Sequence, residues 1–218
     1  MNTKSGAGRH FPAVFLLFFS LCCFFLPFPS PAQTKPDALV LYRQQQYAQA
    51  IEVCLGELEA DSTNTDSYVV LCWALVKTGR YAEAENWAAR GRGVSRYDPR
   101  LIEIAAEARY FQGKNEGALS LFQEYISYAP NGSRLTEAYD FMGEIFMRLG
   151  KYRHADIAFS ASLQYDRANP ARWIKLGYAR EMALDFRYSL DAYNQALQMD
   201  PNNPDAARGR NRVIAKMN

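Results

Sequence analysis

Hydrophobic positions fall along this chain in two regimes. Residues 11–26 are almost unbroken apolar sequence, FPAVFLLFFSLCCFFL. Further on, apolar and polar positions interleave, and one kind of short segment keeps returning: QQYAQA at Gln45–Ala50, GRYAEA at Gly79–Ala84, GKNEGA at Gly113–Ala118, GKYRHA at Gly150–Ala155 and LDFRYS at Leu184–Ser189. The steps between them are 34, 34, 37 and 34 residues. Each segment reads as the turn between two helices. The glycine ends the first helix, where a left-handed residue is wanted. The aromatic two places on (Tyr47, Tyr81, Tyr152, Phe186) packs across the turn, and the small residue after it (Ala50, Ala84, Ala118, Ala155) lets the helices approach. Pro130 and Pro201 stop second helices. Asp98-Pro99, Asn169-Pro170 and Asn203-Pro204 set a cap residue before a proline at the first helical place. Self-similar units at fixed spacing are the signature of a solenoid.

The unit is clearest from Pro170 to Asn203. Counted from Pro170, Trp173 stands at place 4, Leu176 at 7, Gly177 at 8, Phe186 at 17, Tyr193 at 24, Ala196 at 27 and Pro201 at 32. That combination resembles the tetratricopeptide repeat, a 34-residue helix–turn–helix unit. Laid along the chain, it gives repeats at about 35–64, 65–98, 99–132, 136–169 and 170–203. The match is strongest in the fourth and fifth, weaker in the third, where Asn115 replaces the aromatic, and weakest in the first. Ser133-Arg134-Leu135 is a three-residue insertion that lengthens one loop. Residues 204–218 start a further first helix whose charges (Asp205, Arg208, Arg210, Arg212, Lys216) suit a cap on the last repeat. The expected fold is all-α: a right-handed superhelical solenoid of about five repeats plus a C-terminal capping helix.

The apolar run changes where this solenoid is expected. Lys4 and Arg9 precede it, prolines follow it, and Ser30 and Ala32 have the spacing of a small-x-small cleavage site. This is the layout of a secretory signal peptide over residues 1–32, with the repeat domain at 33–218 and an exported, periplasmic or extracellular product. Two alternatives keep the body outside the cytoplasm as well. The run is an uncleaved anchor, short of the ~20 residues of a spanning helix, or Cys22 or Cys23 is an acylated cysteine of a membrane-anchored lipoprotein. Without the leader, basic and acidic residues are equal in number, so no global basic field points to nucleic acid. Cys54 and Cys72 then remain. They read as small buried residues or, in an exported protein, as a disulfide.

Catalytic chemistry is thin. One histidine, His154, follows the leader, beside a turn. There is no His-Glu-x-x-His, Gly-x-Ser-x-Gly, phosphate-loop or Cys-x-x-Cys pattern. The expectation is no enzyme, no metal and no cofactor. The family resemblance implies a concave groove lined by first helices, with places 2, 5, 9, 12 and 13 looking into it. There the chain sets the aromatics Trp73, Tyr110 and Tyr178 among the acids Glu103, Glu107, Asp140, Glu144 and Glu181. The family's carboxylate clamp is not expected, because Val69, Trp73, Glu103, Ile104 and Glu107 hold its places and are apolar or acidic. The reading is an exported interaction scaffold. Its groove takes a protein or peptide segment with basic and apolar side chains, in envelope assembly or secretion. The alternative is a small-ligand binder with an apolar pocket between repeats. The oligomeric state stays open.

Overall fold

A computed structural model of the protein describes residues 36–218, so the leader expected over residues 1–32 lies outside the described residues. Every regular element described is helical: α1 (Ala38–Arg43), α2 (Tyr47–Ala60), α3 (Thr65–Lys77), α4 (Tyr81–Val94), α5 (Pro99–Phe111), α6 (Asn115–Tyr128), α7 (Leu135–Arg148), α8 (Tyr152–Tyr165), α9 (Pro170–Met182), α10 (Phe186–Met199) and α11 (Pro204–Met217). None is long and apolar enough to cross a membrane.

Local chemistry sets the helix ends. Asp37, Asn64, Asp98, Asn169 and Asn203 precede α1, α3, α5, α9 and α11, and each side chain accepts a hydrogen bond from a backbone N–H of the first turn. Such a cap stabilises a helix by about 1 kcal/mol. α7 is the exception among the first helices. The insertion puts Arg134 at its cap place, and Arg134 gives the helix no side-chain hydrogen bond; its side chain is used elsewhere.

All five helix pairs close with one turn. Gln45, Gly79, Gly113, Gly150 and Leu184 have φ between +62° and +75°. The next N–H donates to a carbonyl five residues back at 2.8–3.0 Å: Gln46 to Leu41, Arg80 to Leu75, Lys114 to Arg109, Lys151 to Phe146 and Asp185 to Arg180. Three glycines adopt this backbone freely, but a side chain there costs roughly 1–2 kcal/mol. Leu184 is 74% exposed, so burial does not compensate it. Leu184→Gly is therefore expected to stabilise the protein by ~0.5–1 kcal/mol after glycine's own entropy loss. The check is the urea midpoint, and an unchanged midpoint would mean that the turn stores no strain.

Packing makes the pairs a stack. Each second helix packs on the first helix before and after it. First helices also touch one another, α1 on α3, α3 on α5, α5 on α7 and α9 on α11. The first helices thus stand closer together and form the inner layer of the curve. Buried apolar side chains run from Ala38 on α1 to Val213 on α11. α1 is only 6 residues long, in keeping with the weak first repeat. Cys54 and Cys72 are buried free thiols, and burial pushes Cys54 up to about 12. At the other end, the fully buried Tyr193 ring fills the space between α9 and α11. A Cβ on Gly209 would lie 2.3 Å from that ring, so only glycine permits this approach.

Candidate functional site

The inner-layer residues singled out in the sequence divide into three groups. Trp73 on α3 is half-buried, and Tyr178 on α9 is 45% exposed; both remain available to a partner. Tyr110 does not. It is buried, flanked by Phe111 and Phe141 at 5.1 and 4.6 Å between ring centroids. The Arg148 guanidinium lies 4.1 Å over its ring. Place 12 of this repeat is therefore a core place, contrary to the sequence reading, because the next repeat brings Phe141 and Arg148 onto it. Burial, with the Glu144 carboxylate beside it, pushes the Tyr110 hydroxyl up to about 12.

The acids form the third group, and each is already engaged with a neighbouring repeat. Glu144 accepts hydrogen bonds from Tyr110 Oη and Lys175 Nζ. Asp140 looks toward α8 and α9, where Ser162 Oγ and Arg172 Nε donate to it at 2.7 and 2.8 Å. Glu181 is 2% exposed and receives Arg212 Nη2 and Lys216 Nζ from α11, both at 2.9 Å. Tyr193 Oη also donates to it at 3.1 Å. Burial works against ionisation of Glu144 and Glu181, but these donors outweigh it and hold both below the usual carboxylate range. The acids thus set register between repeats.

Glu103 and Glu107 differ. Both are buried on α5, Glu103 at 2% exposure. They share one guanidinium: Arg134 donates to Glu103 Oε1 from Nη2 at 2.9 Å and to Glu107 Oε2 at 3.1 Å. Burial pushes Glu103 up to about 7; Arg134 opposes this, and the Glu107 and Glu137 carboxylates add to it. Burial likewise raises Glu107. Beside them opens a pocket of about 180 Å³, lined by Tyr42, Trp73, Val76, Lys77, Glu107 and Arg134. The Tyr42 and Trp73 rings lie 5.7 Å apart with planes at 34°. Of the eight chosen side chains, the structure brings Trp73, Glu103 and Glu107 together here, and Tyr110 with Glu144 further along.

Tyr42, Val76 and Arg134 were missed in the sequence. Arg134 had a visible signal: a lone arginine in the insertion, one repeat beyond two groove-facing acids. Chemically the site can bind and orient. The His154 and Phe146 ring centroids lie 5.3 Å apart. Among the described residues, no group of three or more His, Cys, Asp or Glu side chains could hold a metal ion.

Comparison with known proteins agrees with this architecture. A family profile described as "Tetratricopeptide repeat" matches residues 136–169. Solved structures share the fold. YrrB, described as a TPR protein with an unusual peptide-binding site, is 18% identical and superposes with a TM-score of 0.67 over 80% of this chain and 88% of its own. PilF of Pseudomonas aeruginosa is 16% identical, with a TM-score of 0.70 over 83% of this chain and 81% of its own. MamA is 15% identical, with a TM-score of 0.68 over 76% of this chain and 95% of its own. No curated protein matches the sequence.

Proposed function

We propose that this chain, which carries a tetratricopeptide repeat at residues 136–169 and the fold of tetratricopeptide repeat proteins, is an exported protein–protein interaction scaffold holding one partner segment against its first helices. The observation that carries this reading is the inner layer's partly open aromatic surface. Trp73 is half-buried, and Phe111 and Tyr178 are half-exposed, on three successive or near-successive first helices. Aromatic side chains left open on a curved inner face anchor a ligand by buried area. The peptide-binding site of the similarly folded YrrB supports the same reading. The pocket beside Trp73, about 180 Å³, is below the ~300–1,000 Å³ of small-molecule sites, which favours a side chain of a segment over a free ligand.

The partner we infer is mainly apolar, with basic side chains near α5. Most inner-layer acids are neutralised within the solenoid, whereas Glu103 and Glu107 share a single arginine. The test is selection from a random-peptide display library on the full chain. Recovered peptides are expected to lose about tenfold or more in affinity on a Phe111→Ser/Tyr178→Ser variant. Unchanged binding, or no enrichment at all, would remove the groove from consideration. A role in envelope assembly or secretion follows from the leader-like residues 1–32. An intact mass of the native protein beginning at Gln33 is expected, and one retaining Met1 would argue against export by cleavage.

A further inference from the structure

We propose that the pocket between Tyr42 and Trp73 receives one cationic side chain, an arginine or lysine, of the segment held along the first helices; this rests on the groove reading above.

The first observation is shape. About 180 Å³ between Tyr42, Trp73 and Val76 accommodates one long side chain. Its walls are two aromatic rings and a valine, and its charged lining groups are the Glu107 carboxylate and the Lys77 and Arg134 side chains. Apolar walls suit the methylene stem of lysine or arginine, and aromatic faces attract the charged head.

The second observation is charge. The groups that face one another here come from every neighbouring element. Tyr42 is on α1, Tyr47 on α2, Lys77 on α3, Glu103 and Glu107 on α5, Tyr125 on α6, Arg134 just before α7, and Glu137 within it. Once Glu103 ionises, above about pH 7, three carboxylates stand against the two cations Arg134 and Lys77. Glu137 Oε2 is buried and has no hydrogen-bond donor among the described residues. Such a cluster is one positive charge short. An anionic ligand would add to the excess, and an apolar one would bury it further.

The third observation is that the chain already shows what this carboxylate pair accepts. Arg134 reaches both acids with its side chain still 42% exposed, so it covers them from the solvent side without closing the pocket. A further cation entering beside Trp73 would complete the neutralisation of the ionised cluster. It would also displace the proton that burial keeps on Glu103 near neutral pH, so affinity should rise from pH 6 to pH 8.

The test uses the full chain and the blocked peptide acetyl-Ala-Leu-Arg-Leu-Ala-amide. The reference is the same peptide with citrulline, a neutral isostere, in place of arginine. Binding is read from the indole N–H resonance of Trp73 in a ¹⁵N spectrum, assigned with a Trp73→Phe variant. The arginine probe is expected to shift this resonance saturably, with a Kd of roughly millimolar or better. Citrulline in the probe, or Glu107→Gln in the protein, should each weaken binding about tenfold. Equal affinity for both probes overturns the pocket assignment, as does a Trp73 resonance unmoved up to about ten millimolar arginine probe. The citrulline comparison keeps the test independent of how well the Glu107→Gln variant folds. The groove reading fails separately, by the display selection, and would survive equal affinities for the two probes.

Discussion

Tyr193→Ala is expected to destabilise the protein by about 4 kcal/mol, within the range for deleting a buried aromatic ring. Tyr193 is fully buried and holds α11 to the stack in two ways. Its ring fills the space that Gly177 and Gly209 leave open. Its hydroxyl donates to Glu181, the carboxylate that Arg212 and Lys216 of α11 also reach. The loss should be local first, because repeats are held chiefly by their neighbours. Amide hydrogen exchange is expected to speed up in α11 and the end of α9 well before α3 or α5. Tyr193→Phe keeps the ring and removes only the hydrogen bond, so it should cost about 1 kcal/mol. Guanidinium denaturation followed by circular dichroism gives both numbers. A Tyr193→Ala loss under about 1 kcal/mol would mean that α11 docks by other contacts.

The second large effect is a dependence of stability on pH that runs against the usual direction. Glu103 is held at about 7 by burial, against ~4.3 for an ordinary glutamate. Between those values the folded chain keeps a proton that the unfolded chain has lost. Stability from this group is therefore full below about pH 4.3 and declines as pH rises through 7, by roughly 4 kcal/mol in all. Glu144 and Glu181, held below the usual range, act in the opposite sense and lose their contribution as pH falls below ~4.3. The optimum should accordingly lie near pH 5, estimated from the ordinary and shifted values together. Glu103→Gln should flatten the decline toward pH 8. Arg134→Ala should cost about 3 kcal/mol at pH 8, where it strands two buried carboxylates, and less at pH 5, where Glu103 is protonated. Urea midpoints at roughly pH 5, 6.5 and 8 check all three variants, the wild type included. A wild-type midpoint that climbs steadily to pH 8 would contradict the assignment.

What could be seen in the sequence was whatever depends on near neighbours. The turn residues, including the non-glycine Leu184, stand where the backbone takes φ near +65°. The Asx-Pro boundaries became capped helix starts, because a cap and its helix lie within four residues of each other. The fold follows from repeating these local devices. The site was less visible, because its contacts span a whole repeat. Nothing around Tyr110 in the chain announces that Phe141 and Arg148 will cover it. The acids were recognisable as inner-layer residues, but not their cationic partners, which lie 27 to 35 residues further on. Arg134 sits in an insertion, outside any repeat count. Tyr42, the second wall of the pocket, comes from α1, where the repeat pattern is faintest.

The pairs that join neighbouring repeats share a separation but not an address. Glu103 with Arg134, Glu144 with Lys175 and Glu181 with Arg212 are each 31 residues apart, yet the acids occupy places 5, 9 and 12 of their respective repeats. Each of these three joints therefore has its own lock. A copied or transposed repeat would carry an acid onto a surface that lacks its cation, and an uncompensated buried charge is strongly destabilising. Arrays of near-identical modules can lengthen or shorten by duplication. This one has its order written into these joints, so the spacing of its inner-layer side chains from repeat to repeat is fixed as well.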